Sequence, residues 1–177
     1  LDALAKTGVI FNNAYTPSPI CAPARQCMMA GQLPKTCGVD GAWMDLKPEY
    51  HTFARRFSQY AYHTVCAGKL HHFGVDQMQG WSLRLAPDAE IFPKYYDGLV
   101  KEEYDKYPTK PVSVKKSNET YVKEAGIKFG KYQLWDSQII DSSIDFIQTH
   151  FAHQKLEETN RPLLLKVSFM QPHYPFY

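Results

Sequence analysis

Five residues stand out for the chemistry they could do together: Cys21 and Arg25 in "CAPAR", Lys69 and His71 in "GKLHH", and His173 in "QPHYPFY". Cys21 lies between Pro19 and Pro23 and opens a short helix-compatible stretch, a place where the helix dipole favours an anion. Arg25 and Lys69 are cations, and His71 and His173 are imidazoles that exchange a proton near neutrality. A thiol, two cations and two imidazoles describe a pocket for a tetrahedral or planar oxyanion, with acid–base groups for a leaving group. Phosphate, sulfate and carboxylate esters all qualify. A plain cysteine phosphatase fits less well, because such sites cradle the anion in a glycine-rich loop and "CAPAR" offers few free amides.

Each residue also has a plainer reading. Cys21 could be a core thiol, Arg25 a surface ion-pair partner, and Lys69 a solvated loop residue. His71 or His72 could be a hydrogen-bonded structural histidine, and His173 could line a turn. Cys66, His71 and His72 could bind zinc, but their spacing matches no common finger. The pairs Glu102–Glu103 and Glu157–Glu158 lie in charged stretches and read as solvated faces.

The elements that must position these groups follow from the pattern. "LDALAKTG" reads as a helix end stopped by Gly8, and "VIFNNAY" as a short strand leading into the Pro-rich loop "TPSPICAP". "APARQCMMAG" makes one or two helical turns, with Pro23 in the first and Gly31 at the stop. "HTFARRFSQY" is an amphipathic helix, and "YAYHTVCAG" a strand rich in aromatic and β-branched residues. Residues 78–128, with prolines at 87, 93, 108 and 111, predict an irregular excursion bordering the pocket.

"LWDSQIIDSSIDFIQTHF" is helical, with Ile140, Ile144, Ile147 and Phe151 on one face. "RPLLLKVSFM" is a continuous apolar strand of the kind covered on both sides. Alternating strands and helices predict an α/β fold with a largely parallel sheet and helices on both faces. Ligands gather at the carboxyl ends of such strands, where Cys21, Arg25, Lys69, His71 and His173 all fall.

The 177 residues read as one domain, and a net charge of +2 argues for neither nucleic acid nor a membrane surface as partner. No apolar run reaches the length of a membrane span. Four cysteines, at 21, 27, 37 and 66, allow a single bridge of undetermined pairing and match no C-x-x-C motif. Asn118 begins a glycosylation sequon. These features leave the compartment open, with a periplasmic or secreted location ahead of a cytoplasmic one. Both ends read as cut, so residues 1–177 are expected to be a fragment of one larger catalytic domain.

Taken together, the motifs resemble the type I sulfatases of the alkaline-phosphatase-like superfamily. "CAPARQCMMAG" matches the family's C-x-P-x-R signature, "GKLHH" its G-K-x-H element, and "FMQPHYPFY" its P-H-x-P element after a strand. "AGKLHHFGVDQMQGW" further resembles choline sulfatases, which carry G-x-D-Q after the histidine. Ala24 replaces the commoner serine of C-x-P-S-R.

The resemblance implies that Cys21 is oxidised to formylglycine by a maturation enzyme that reads C-x-P-x-R in the unfolded chain. One hydroxyl of the hydrated aldehyde would attack sulfur and the other would later expel sulfate. By the same match Arg25 would hold the formylglycine, and Lys69 would contact the sulfate oxygens and the diol. His71 would take the proton that drives sulfate elimination, and His173 would bind sulfate and protonate the leaving alcohol. The resemblance further implies a divalent cation, most commonly Ca2+, held by the formylglycine at position 21 and by oxygen ligands outside these residues. The implied activity is hydrolysis of a sulfate monoester, either choline sulfate or a sulfated carbohydrate. Two alternatives remain: a phosphonate monoester or phosphodiester hydrolase of the same superfamily, and an unmodified, non-catalytic anion-binding protein.

Overall fold

The computed structural model describes residues 1–42, 44–72, 74–88, 125–126 and 131–174. In chain order these form α1 (Asp2–Ala5), α2 (Cys21–Ala30), α3 (Pro34–Cys37), α4 (Phe53–Gln59), β1 (His63–Gly68), β2 (Leu83–Arg84), α5 (Lys131–Leu156) and β3 (Leu163–Ser168). The strands make a parallel sheet in the order β2–β1–β3, with β1 and β3 in register from His63↔Leu163 to Gly68↔Ser168. The α/β reading holds, and helices cover both faces.

β1 lies between β2 and β3, and its run of small and apolar residues from Val65 to Gly68 suits a strand buried on both sides. On one face Cys66 joins Cys27, Met29, Leu46, Ala54, Leu70 and Trp81. On the other, Ala67 packs with Trp135, Ile139 and Met170. Local chemistry fixes the helix ends. The Thr52 hydroxyl accepts from the Arg55 N–H and starts α4, and Gly31 in the left-handed region (φ 65°) ends α2.

Three expectations need correction. "VIFNNAY" is not a strand: residues 9–15 have no ladder partner among the described strands, and Val9, Ile10, Phe11 and Tyr15 are exposed. A strand has no stability without a neighbour to take its backbone hydrogen bonds and cover its apolar side chains. β3 is half-buried rather than covered on both sides: its residues are partly buried and Val167 is exposed. In α5 the exposed stripe is the one with Ile140, Ile144, Ile147 and Phe151, whereas Trp135, Ile139 and Ser143 face the sheet. The helix carries two apolar stripes, and the one bearing the indole wins the sheet because it buries the greater area.

The irregular excursion predicted over 78–128 holds a two-residue strand at Leu83–Arg84, and most of the remainder lies outside the described residues. Among the described residues no helix is long and apolar enough to cross a membrane.

Candidate functional site

The parallel register brings the ends of β1 and β3 side by side, so the segments that follow them leave from one edge. The Lys69 N–H donates to the Ser168 carbonyl at 2.9 Å, which carries the ladder one residue beyond β1. α2 is pinned across that edge: Arg25 Nη1 donates to the Lys69 carbonyl at 2.6 Å and to the Ser168 hydroxyl at 2.8 Å. Cys21 is the first residue of α2, partly exposed, one turn before Arg25. Ile20 at the N-cap provides no side-chain cap, and Pro23 lacks an N–H, so few amides face the site from this helix.

All five residues singled out by the sequence meet at this edge. Lys69 is buried (2 % exposed), with its ammonium 3.3 Å from the Met170 sulfur. His71 is 6 % exposed and has φ 57°, a left-handed conformation unusual for a residue with a side chain. Burial first, then Lys69, Arg25 and His173 push the His71 imidazole down to about 4, against an opposing pull from Asp88. His173 is also lowered, by burial and then by Lys69 and Arg25, while its contact with the Tyr174 carbonyl (Nδ1 to O, 2.7 Å) works the other way. Burial lowers Arg25 as well, opposed by Cys21 and Asp88. These mutual effects place thiol, guanidinium, ammonium and both imidazoles in one electrostatic neighbourhood. His71 is therefore neutral at pH 7 and able to accept a proton, while Arg25 supplies positive charge beside Cys21.

Two carboxylates that the sequence did not single out hold this arrangement. Asp88 accepts the N–H groups of Leu70 and His71 at 3.0 Å each and of His72 at 3.2 Å, and it pairs with Arg84 at 3.3 Å. Those bonds offset the strain at His71 and fix the "KLHH" turn. Asp136 on α5 does the same for the segment after β3, accepting from Met170 N–H at 2.7 Å and Gln171 N–H at 3.1 Å. The next peptide bond, Gln171–Pro172, is cis.

Beneath the turn, Gln26 is fully buried. Its amide nitrogen donates to the His71 carbonyl at 2.8 Å and lies 3.1 Å from His72 Nδ1, and its amide oxygen accepts from Leu46 N–H and Gln79 Nε2. A polar residue one place after Arg25, on the buried side of an otherwise apolar helix, was the available signal.

Two further expectations meet the geometry here. The zinc combination of Cys66, His71 and His72 does not assemble: the Cys66 thiol donates to the Leu83 carbonyl at 3.6 Å, and burial pushes it up to about 11. Among the described residues no group of three or more His, Cys, Asp or Glu side chains could hold a metal ion. The described donors alone therefore do not build a divalent-cation site, and the expectation that most of its oxygen ligands lie outside residues 1–177 is not tested by them. A modified Cys21 does fit its surroundings, since the residue is partly exposed at the helix start and within electrostatic reach of Arg25.

Comparison with known proteins bears on the family of the chain. The Sulfatase family model matches residues 1–177. The chain is 34% identical over 184 residues to a choline-sulfatase of Rhizobium meliloti (strain 1021), covering 99% of this chain and 33% of that protein. It is 27% identical over 190 residues to an arylsulfatase of Clostridium perfringens, covering 99% and 38%. The chain therefore spans about a third of the length of these relatives. The crystal structure of Ps i-CgsB in complex with k-i-k-neocarrahexaose is similar in fold, with a TM-score of 0.63 at 18% identity over 98% of this chain and 39% of that one. With a family match that runs from the first residue to the last, the chain belongs to the sulfatase family.

Proposed function

We propose that the protein hydrolyses a sulfate monoester through a formylglycine made from Cys21, with choline sulfate as the favoured substrate. The observation that carries this reading is the convergence of Cys21, Arg25, Lys69, His71 and His173 at the carboxyl ends of β1 and β3. The formylglycine would supply a geminal diol, one hydroxyl for attack on sulfur and the other for release of sulfate.

The chain's own groups carry the other roles. A sulfate monoester is an anion, so its approach calls for fixed positive charge, which Lys69 and Arg25 provide in a water-poor setting where it acts strongly. Arg25 is already oriented by the Lys69 carbonyl and Ser168, so its charge needs no rearrangement when substrate arrives. His71, held neutral, accepts the proton that must leave for sulfate to depart. His173, on the segment fixed by Asp136, binds a sulfate oxygen and donates a proton to the departing alcohol.

Maturation fits the fold in one order only. Pro23 is buried in α2 and Arg25 is engaged at both acceptors, so an enzyme that reads C-x-P-x-R must act before α2 docks. The 34% identity to a choline-sulfatase supports choline sulfate ahead of a sulfated carbohydrate.

Peptide mass spectrometry of the full-length protein tests the reading. Trypsin releases Thr7–Arg25 as one peptide containing Cys21. The expected mass is that of formylglycine, trapped by a hydrazine, and Cys21→Ala is expected to abolish turnover of choline sulfate with folding intact. A plain thiol at position 21 in active protein would overturn the mechanism. Faster turnover of an aryl phosphonate than of any sulfate ester would reassign the substrate class.

A further inference from the structure

We propose that Cys27 and Cys37 are a disulfide-forming pair, a modification site that clamps α2 to α3 and acts separately from the chemistry at Cys21. Their sulfurs lie 3.7 Å apart, both buried, in the cluster with Met29, Val39 and Leu46. The chain is built to bring them there. Cys27 sits on the buried side of α2, Gly31 turns the chain at the helix end, and Pro34 starts the short helix whose last residue is Cys37. Gly38, also in the left-handed region (φ 73°), closes that helix. Of the other two cysteines, Cys66 is committed to the Leu83 carbonyl and Cys21 opens α2 at the strand edge. The pairing that spacing left undetermined is selected by this contact.

Thiols in van der Waals contact are one side-chain rotation away from the roughly 2 Å of a disulfide. Cys37 is at the end of a four-residue helix, which can yield. Access comes from the Cys27 side. That residue forms part of the wall of a cavity of about 470 Å³, together with Ala24, Met28, Gly31, Gln32 and Leu33. The oxidant is a low-molecular-weight disulfide such as oxidised glutathione. The Cys27 thiolate attacks one of its sulfurs and expels one thiolate; the Cys37 thiolate then attacks the mixed disulfide and expels the second. The protein loses two electrons and two protons, and the oxidant becomes two thiols. Burial and the neighbouring Cys37 thiol push Cys27 up to about 11, so the folded protein reacts slowly at neutral pH and faster as pH rises.

The test uses full-length protein, reduced, exposed to oxidised glutathione at about pH 8, then alkylated in denaturant and digested with trypsin without reduction. The expected product is Gln26–Lys35 joined to Thr36–Arg55, two hydrogens lighter than the separate peptides, with Cys66 alkylated. Cys37→Ser should stop at a glutathione adduct on Cys27. The oxidised wild-type protein should melt several degrees above the same sample after reduction, a comparison that needs no variant. Alkylation of both Cys27 and Cys37 after oxidation, a bridge to Cys21 or Cys66 instead, or an unchanged melting temperature would each overturn the proposal. Formylglycine content and sulfatase activity are read separately, so failure here is distinct from failure of the proposed function.

Discussion

Arg25 reaches from the second turn of α2 to the carbonyl of Lys69 at 2.6 Å, so the residue one turn after Cys21 grips the backbone of the site's other cation. The same nitrogen holds Ser168 at the end of β3, which makes one guanidinium the joint between a helix and two strand ends. Replacing it removes two hydrogen bonds from a charged donor. Arg25→Ala is expected to cost about 2–4 kcal/mol of stability and to lower kcat by about 10²–10³ in the full-length protein. Arg25→Lys should recover part of the stability and little of the activity, because the shorter lysine chain does not carry its ammonium to where Nη1 meets both acceptors. Thermal melts and turnover of an aryl sulfate decide this, and a fully active Arg25→Lys enzyme would show that charge alone suffices.

Asp88 sets both the shape and the field of the "KLHH" turn, since three consecutive N–H groups end on its carboxylate and its charge raises His71. Asp88→Asn keeps an acceptor but turns an amide nitrogen toward a donor and deletes the charge. A stability loss of about 2–4 kcal/mol is expected. Losing the carboxylate should also lower the His71 pKa further, so the acid limb of kcat/KM moves to lower pH. A variant with reduced stability and an unmoved acid limb would mean that Asp88 only shapes the backbone.

The five residues of the candidate site were legible because each sits in a short motif. For Lys69, His71 and His173 the strand-then-loop rhythm named the edge, whereas Cys21 and Arg25 reach it through α2 and not after a strand of their own. "YAYHTVCAG", rich in aromatic and β-branched residues, likewise announced β1, which forms over its last six residues. What stayed hidden depends on partners far away in sequence. Nothing near Asp88 or Asp136 signals that each carboxylate will collect the N–H groups of a turn, 16–18 and 34–35 residues distant. "VIFNNAY" has strand composition, yet composition cannot supply a neighbouring ladder. In α5, periodicity picked out the stripe of Ile140, Ile144, Ile147 and Phe151, and the stripe with Trp135 and Ile139 came to light only in its packing against the sheet.

Gly68, the last residue of β1, is fixed by space as well as conformation. It has φ 80°, and a Cβ there would overlap the Ser168 carbonyl oxygen and the Ile139 side chain. Both neighbours are backbone or packed core and cannot step aside. Gly68→Ala is expected to cost at least about 3 kcal/mol and to disturb the Lys69 N–H bond to Ser168, lowering soluble yield and melting temperature. By contrast Gly126, with open space around it, should accept alanine with no measurable change. Equal melting temperatures for the two variants would contradict the packing at the strand end.

Acid should destabilise this protein through two buried histidines. Burial pushes His71 down to about 4 and His72 to about 3, from an ordinary 6.5, with Asp88 opposing in both cases. Between those values the unfolded chain binds protons that the folded chain refuses, so stability rises with pH across the window. The contribution is complete above about pH 6.5 and is lost progressively as pH falls toward 4 and then 3. Over the whole window His71 represents at most about 3 kcal/mol and His72 at most about 5 kcal/mol, and the two share Asp88, so their effects should sum to less than the total of the two. Urea midpoints measured from pH 7 to pH 4.5 should fall steadily for the wild type, and His72→Gln should flatten the slope. A wild-type midpoint that holds constant down to pH 4.5 would mean that both imidazoles take up protons without unfolding.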